Sequence, residues 1–514
     1  MSDGILKSET IKVKQLVEEY RSGRIVIPEF QREYVWKPSK APWLIDSLYR
    51  GFPISSLLLW QSTEQTRARR NDPRPSRGSM SWLIDGQQRV ITLSRVMNGD
   101  EGIDIVFHPE NDEFRLSNAA TRNDRNWFRV PELLDENQFR ELRRNLDTGR
   151  NADKREARFE KVRRILHYEV PLVSMIDHSF ADAVVAFKRI NTLGVKLKQQ
   201  DIESAQVAAI HSGFIADEVA PFLDKLKRDG FTRLNVMHLF RACAFIAKPD
   251  GRNRTPLHEL KRAEVLEAWK RTQRATEQAI SLVRGEFGLV NMEILWSGAL
   301  LVPIITLCAI TPPKKRDARG LVAWIALAAL LHRYSRSSES ALDQDLRACR
   351  HDDPVGALLA NLRQIRPSLA AHPNDFAGAL NDRSGLLASY IACMHRGVLD
   401  FFTGGKVLLH SEIDRHHILP RAQFPEKIRV VADNIANIVF ISGDVNKSIG
   451  QSGPEVYLKR IAKRVLESQC VPMQNSLWKI DKADQFWAAR RELLAASFND
   501  FLREALPQRK VANV

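Results

Sequence analysis

Residues 82–93 read Trp82-Leu83-Ile84-Asp85-Gly86-Gln87-Gln88-Arg89-Val90-Ile91-Thr92-Leu93. An apolar run reaches an Asp-Gly pair, and a mostly apolar run resumes after Arg89. This predicts a strand ending at Asp85, a turn at Gly86 and a helix opening into Gln87. A strand feeding a helix start gathers backbone N–H groups, a carboxylate and a guanidinium at one point. That combination suits an anion such as a phosphate, with Asp85 available to a metal or a ribose. Asp-Gly before a helix is also an ordinary turn and cap, so the stretch alone decides local fold before chemistry.

Outward from this turn, Ile54 to Trp60 forms a second strand candidate behind Gly51 and Pro53, and Asp104-Ile105-Val106-Phe107 a third. Upstream, Ile27-Pro28-Glu29-Phe30-Gln31-Arg32-Glu33-Tyr34-Val35-Trp36 leads into a helix expected from Ser39 to Gly51. Tyr34 and Trp36 read as core side chains rather than base-stacking ones, and Arg32 as a partner for a carboxylate. A stretch rich in Arg, Pro and Ser, with Arg67, Arg69, Arg70, Arg74 and Arg77, separates the first two strands. It is expected to be an exposed, mobile loop, either touching a phosphate backbone or simply solvated.

The chain has 514 residues, more than one compact core accommodates, and a formal net charge of +15. Hydrophobic residues make up 44% and charged residues 27%, an ordinary globular balance that excludes collagen-like and disordered classes. The cationic excess favours a polyanionic partner, because each neutralised phosphate releases counterions. Cys243, Cys308, Cys349, Cys393 and Cys470 are scattered and odd in number, with no C-x-x-C pair, which argues against a disulfide framework or zinc ribbon and fits a reducing cytoplasm. The N-terminus lacks an apolar signal core, and the apolar stretches 296–311 and 321–331 fall short of the ~20 residues of a membrane span. From about Gln206 to His395 the apolar spacing turns helical, with no catalytic constellation.

Near the C-terminus, Asp414-Arg415-His416-His417-Ile418-Leu419-Pro420 closes a short strand-like run. Asp433-Asn434-Ile435-Ala436-Asn437 follows, then a β-like run Ile438 to Ile441, and Gly443-Asp444-Val445-Asn446-Lys447 as a turn and helix start. A hairpin and helix would bring His416, His417 and Asn446 together. Hydrolysis of a phosphodiester needs a base to activate water and a cation to stabilise the phosphorane. A neutral imidazole suits the base. Adjacent strand residues face opposite ways unless a bulge intervenes, so one histidine can serve a metal and the other water through a local distortion. The plain alternative is a structural His-His pair. A basic helix is expected around Val456 to Leu466.

These features resemble known families at both ends. The C-terminal pattern resembles the HNH, or ββα-metal, endonuclease motif in its zinc-free form, including the nine-position interval from Asn437 to Asn446. The resemblance implies His417 as general base, His416 and Asn446 as metal ligands, and Asn437 as the residue that braces the motif and orients the base. It implies phosphate contacts from Lys447 and Arg421, with Asp414 behind the ligands. An imidazole at position 416 makes the site less anionic than the family's usual Asp, so manganese or another transition ion is expected to match or exceed magnesium. The N-terminal motifs, with Phe187-Lys188-Arg189-Ile190-Asn191-Thr192-Leu193-Gly194, resemble the ParB-like domain of GmrSD-type restriction proteins. That family implies nucleotide binding and hydrolysis, with GTP or ATP, and sensing of modified DNA. Gln31, Arg32, Asp85, Gly86, Gln87, Gln88 and Arg89 would form the pocket.

The expected architecture is α+β and multidomain: a ParB-like α/β domain over 1–205, an all-α spacer over 206–396 and a ββα-metal domain over 397–514 within a helical surround. The expected function is a nucleotide-regulated, modification-dependent DNA endonuclease that nicks phage DNA in the cytoplasm, without membrane attachment and with a homodimer as the candidate assembly. The order of domains is that of GmrSD and SspE-like phage-defence nucleases. The alternatives are a ParB-like DNA-binding regulator with a decayed HNH site and an RNA-directed nuclease toxin.

Overall fold

In the computed structural model the apolar runs around Trp60 and Trp82 lie side by side inside a five-stranded sheet. The structure describes residues 4–31, 33–62, 67–69, 72–76, 81–144, 152–193, 199–248, 255–289, 291–335, 338–407, 413–443 and 453–506. The chain divides into two compact units, Met1–Pro221 and Phe222–Val514. The helical segment expected over 206–396 and the C-terminal segment expected from 397 thus fall largely into one unit.

In the first unit, β1 (Ile5–Lys12), α1 (Val13–Arg21), β2 (Ile25–Val26), α2 (Ala41–Arg50), β3 (Leu57–Gln61), β4 (Ser81–Asp85) and α3 (Gln87–Asn98) precede β5 (Ile105–His108), β6 (Glu113–Leu116), β7 (Phe128–Arg129) and β8 (Glu169–Ile176). The main sheet runs β1-β8-β3-β4-β2, and a smaller one runs β6-β5-β7. β3 pairs in parallel with β8 and antiparallel with β4, with a register shift between Leu58 and Leu59. Its first four residues are all buried, as expected of a strand covered on both faces. Leu57, Leu59 and Leu83 join one core with Val13, Leu16, Val17 and Tyr20 of α1, whose spacing makes a single helical face. Trp60 packs instead on Trp82 and on Phe180, in the helix Phe180–Leu193, with ring centroids 6.5 and 5.3 Å apart.

Glu29 ties the Ile27–Trp36 stretch to the end of this unit. Its buried carboxylate accepts from the Gly213 N–H at 2.7 Å and the Ala216 N–H at 2.8 Å. Burial pushes its pKa up, and the two backbone donors pull it back.

The arginine-rich stretch between β3 and β4 is not the free loop expected, at least where it is described. Glu29 N–H donates to Arg67 O at 2.8 Å, Arg69 N–H to Ile27 O at 2.8 Å, and Ser76 N–H to Gly23 O at 3.0 Å. Asp72 clasps the Arg69 guanidinium through contacts of 2.7 and 2.8 Å, and Tyr20 donates to the same carboxylate. A carboxylate three residues on neutralises this arginine and draws it inward. Arg70 and Arg77 lie outside the described residues.

The second unit is mostly helical. The helices Val302–Ile310 and Ala318–Leu330 are apolar nearly all round and form its buried centre. Among the described residues no helix is long and apolar enough to cross a membrane. The five cysteines are buried and unpaired. β9 (Ile413–His417) and β10 (Ile438–Ser442) form an antiparallel hairpin in this unit. It rests on two helices, Arg383–His395 and Ala483–Ala505: Tyr390 meets Phe440 at 5.1 Å, and the buried Arg490 donates to Ala436 O at 3.0 Å. The basic helix expected over 456–466 is broken into a helical turn at Pro454–Tyr457, a tight 3-10 turn at Leu458–Arg460 and a short helix at Lys463–Ser468. Ile461 and Ala462 between them are extended, and Ile461 turns into the core with Tyr457, Leu458 and Val465.

Candidate functional site

The connection between β9 and β10 is built around Asn437. Its side chain is fully buried and makes three hydrogen bonds, accepting from Leu419 N–H at 2.9 Å and donating to Leu419 O at 3.0 Å and Ala432 O at 2.9 Å. An asparagine supplies one acceptor and two donors, so this position uses all three functions. The bonds clamp both ends of the segment that returns the chain from His417 to β10.

His417 stands at the end of β9, with its Nε2 3.0 Å from Asp433 Oδ1. Arg421 Nη2 lies 3.7 Å from the other oxygen of Asp433. Burial holds the imidazole below its ordinary pKa, while Asp433 opposes part of the shift. The ring is therefore neutral near neutral pH, with a carboxylate positioned to stabilise a proton that it accepts. Asp433 has no role in the sequence reading, because nothing in the spacing distinguishes it from a turn carboxylate.

His416 faces the other way. The β9–β10 pairing sets His416 opposite Val439 and His417 opposite Ile438, with no bulge. Successive side chains on a regular strand alternate faces, so the local distortion expected to bring both imidazoles together is absent. His416 is buried, its ring 6.0 Å from that of Tyr457 and 6.5 Å from that of Phe401. Tyr457 in turn donates to Ile418 O at 2.6 Å. Asp414 lies on the His416 face by strand alternation, with one carboxylate oxygen 3.4 Å from where a Cβ on Gly443 would sit. Imidazole nitrogen and carboxylate oxygen together fit a divalent ion. Among the described residues, however, no group of three or more His, Cys, Asp or Glu side chains is placed to hold one. Asn446 and Lys447 lie outside the described residues.

In the first unit, the turn after β4 opens a cleft of about 1030 Å³. Gly86 has φ of +100°, and a Cβ there would fall 2.1 Å from Leu57 Cδ2, so glycine is required. Gln31, Asp85, Gly86, Gln87, Gln88 and Arg89 all line the cleft, while Arg32 lies outside the described residues. Several of these side chains brace its walls. Gln31 Nε2 donates to Leu83 O at 2.5 Å and Ile84 O at 2.9 Å. Gln88 Oε1 accepts from the N–H groups of Val35 at 2.9 Å and Trp36 at 3.1 Å. Gln87 accepts from Arg69 at 3.0 Å.

Arg89, expected as an anion ligand, spends its guanidinium on Ile54 O, Ser55 O and Ser56 O at 2.5 to 2.9 Å and on Asp85 at 3.1 Å. It shapes the 54–56 wall and occupies the carboxylate expected to be available. Lys40 is a second cation on the cleft, its Nζ 5.5 Å from the Trp36 ring centre. Tyr34 bonds Thr92 at 3.0 Å as a core side chain does. Trp43 was missed by the sequence reading. It lines the cleft yet is 77% exposed.

Residues 13–208 match the family model described as GmrSD restriction endonuclease, N-terminal domain. The chain is also similar to an uncharacterized protein of Methanocaldococcus jannaschii, at 20% identity over 528 aligned positions that cover 89% of this chain and 87% of that protein. The matched span contains every residue that lines the cleft, from Gln31 through the Asp85–Arg89 turn to Phe187 and Ile190. Residues 13–208 are thus similar to the N-terminal domain of GmrSD restriction endonucleases.

Proposed function

We propose that the chain is a nucleotide-regulated DNA endonuclease of HNH type, acting in restriction of invading DNA. The observation that carries the cutting step is the His417–Asp433 contact at 3.0 Å, set at the end of a hairpin that Asn437 clamps. An Nε2–H donated to Asp433 leaves the lone pair on Nδ1. That nitrogen takes a proton from the attacking water, and the Asp433 carboxylate steadies the imidazolium that results. His416 and Asn446, with Asp414 behind them, are the residues that would hold a divalent ion supplying a Lewis acid for the phosphorane and the departing oxygen. For that ion to serve the same phosphate as His417, the end of β9 would have to leave the regular alternation it has here. Arg421, half exposed beside Asp433, is available to a DNA phosphate, and the net charge of +15 supports a polyanionic substrate. The N-terminal cleft binds and hydrolyses GTP or ATP and so governs cutting. The match of residues 13–208 to the N-terminal domain of a restriction endonuclease supports DNA as the substrate.

The test is plasmid nicking by wild type and His417→Ala, on matched modified and unmodified DNA, with and without GTP or ATP, across magnesium and manganese. Wild type should nick, His417→Ala should lose at least about 10²-fold, and manganese should serve at least as well as magnesium. Equal cutting by both proteins would end the nuclease reading and leave a DNA-binding regulator, while activity with magnesium alone would overturn the metal assignment. Asp85→Ala should abolish nucleotide hydrolysis while leaving nucleotide-independent nicking intact.

A further inference from the structure

We propose that Trp43 is the platform on which the base of a nucleotide stacks in the N-terminal cleft. The inference rests on the nucleotide-binding reading above and assigns that ligand an orientation. α2 buries Ala41, Pro42, Leu44, Ile45, Leu48 and Tyr49, and Trp43 falls on the opposite face. At 77% exposure it leaves a large apolar surface in water. A lone exposed tryptophan on an outer face would point to a protein partner, since such residues anchor interfaces. Trp43 instead lines a cleft together with the polar Asp85 and Gln87. The volume of about 1030 Å³ is ample for a mononucleotide.

The lining of the cleft combines two chemistries. α3 begins at Gly86, and the leading N–H groups of a helix have no partner within it, so this part of the lining suits phosphates. Lys40, on the same cleft, adds a positive charge. Among the other lining residues, apolar side chains stand open to solvent: Trp43, Val35 at 53% and Ile190 at 43% exposure. A ligand with an anionic end and a planar aromatic end matches both. The indole face gives stacking to any base, so Trp43 supplies affinity without choosing between GTP and ATP.

Calorimetric titration of the full chain tests the assignment, with non-hydrolysable GTP and ATP analogues and with inorganic tripolyphosphate as the probe lacking a base. Trp43→Ala should weaken both analogues by roughly 10- to 100-fold, the range of a lost base–aromatic stack, and leave tripolyphosphate affinity unchanged. Trp43→Phe should stay within a few-fold of wild type. Unchanged analogue binding by Trp43→Ala overturns the platform while the nucleotide reading stands. Equal losses for analogues and tripolyphosphate also overturn it, because Trp43 would then act on the shape of the cleft. A wild type that binds neither analogue overturns both readings. Where tripolyphosphate binds too weakly to measure, the contrast between Ala and Phe decides: equal losses in the two variants refute stacking.

Discussion

Asn437 and Asp433 stand four residues apart beside the same histidine, and their substitutions should separate architecture from chemistry. Asn437 is fully buried and uses three hydrogen-bonding functions. Asn437→Ala strands the Leu419 N–H and two carbonyls away from water, a cost of about 3 kcal/mol or more. Urea unfolding should show that loss, and nicking should fall with it. Asp433 is partly exposed and touches His417 at one oxygen. Asp433→Asn should therefore leave the unfolding midpoint near wild type yet lower the nicking rate by about 10²-fold, since the proton-bearing imidazole loses its counter-charge. Nicking that tracked stability in both variants would remove Asp433 from the chemistry. The pattern of residue types at fixed spacing already singles out His417 and Asn437, and the structure sets them at the two sides of the hairpin connection. Asp433 carries no such mark, because its approach to His417 depends on how the intervening 3-10 segments, Arg421–Gln423 and Glu426–Asp433, fold back.

At the scale of elements, the first turn of the helix Val236–Ala247 carries a pH-dependent contribution to stability. Asn235 Oδ1 accepts from His238 N–H at 3.2 Å, and Asn235 N–H donates in return to His238 Nδ1 at 3.3 Å. This reciprocal cap needs a lone pair on Nδ1, and burial pushes the His238 pKa down to about 4. The unfolded chain takes up that proton near pH 6.5 and the folded one only near pH 4. The contribution is therefore complete above about pH 6.5 and drains away as pH falls toward 4. Between pH 7 and pH 5 the second unit should lose on the order of 2 kcal/mol through this group. His238→Gln keeps an acceptor for the cap without a titration, so it should lose correspondingly less in urea unfolding at the two pH values. An identical loss in the variant would show that other groups govern the acid limb. The elements themselves were unevenly legible. β3, β4 and the start of α3 follow from apolar runs and Gly86, and the helical wheel of α2 already leaves Trp43 outside its apolar face. The break at Ile461–Ala462 carries no such mark, because residues 457, 458, 461 and 465 also fit an unbroken helix. Core packing, which outweighs a weak helical preference, decides that element.

For the whole molecule, the order of segments was legible while their grouping was not: the apolar helices at 302–310 and 318–330 and the hairpin helices Arg383–His395 and Ala483–Ala505 close into one unit, a tertiary outcome no local pattern encodes. Net charge acts at this scale too, but the arginines are not equally available. Arg333 and Arg490 are buried and hydrogen-bonded, Arg69 is clasped by Asp72, and Arg89 is committed to carbonyls and Asp85. The carboxylate partners of Arg333, Arg69 and Arg89 are already counted in the sum, so the +15 describes an excess that persists after such pairing. If that excess meets a DNA backbone, binding releases counterions and weakens with salt as a power law. With three or more phosphates neutralised, the log–log slope should reach about −3, and affinity for a short duplex should drop by roughly 60-fold between 50 and 200 mM salt. His417→Ala should show the same slope, because a neutral imidazole contributes no counterion release, whereas Arg421→Ala should reduce it by about one. An affinity flat across that range would mean that the cationic surface is merely solvated and that DNA, if bound, is held by other contacts.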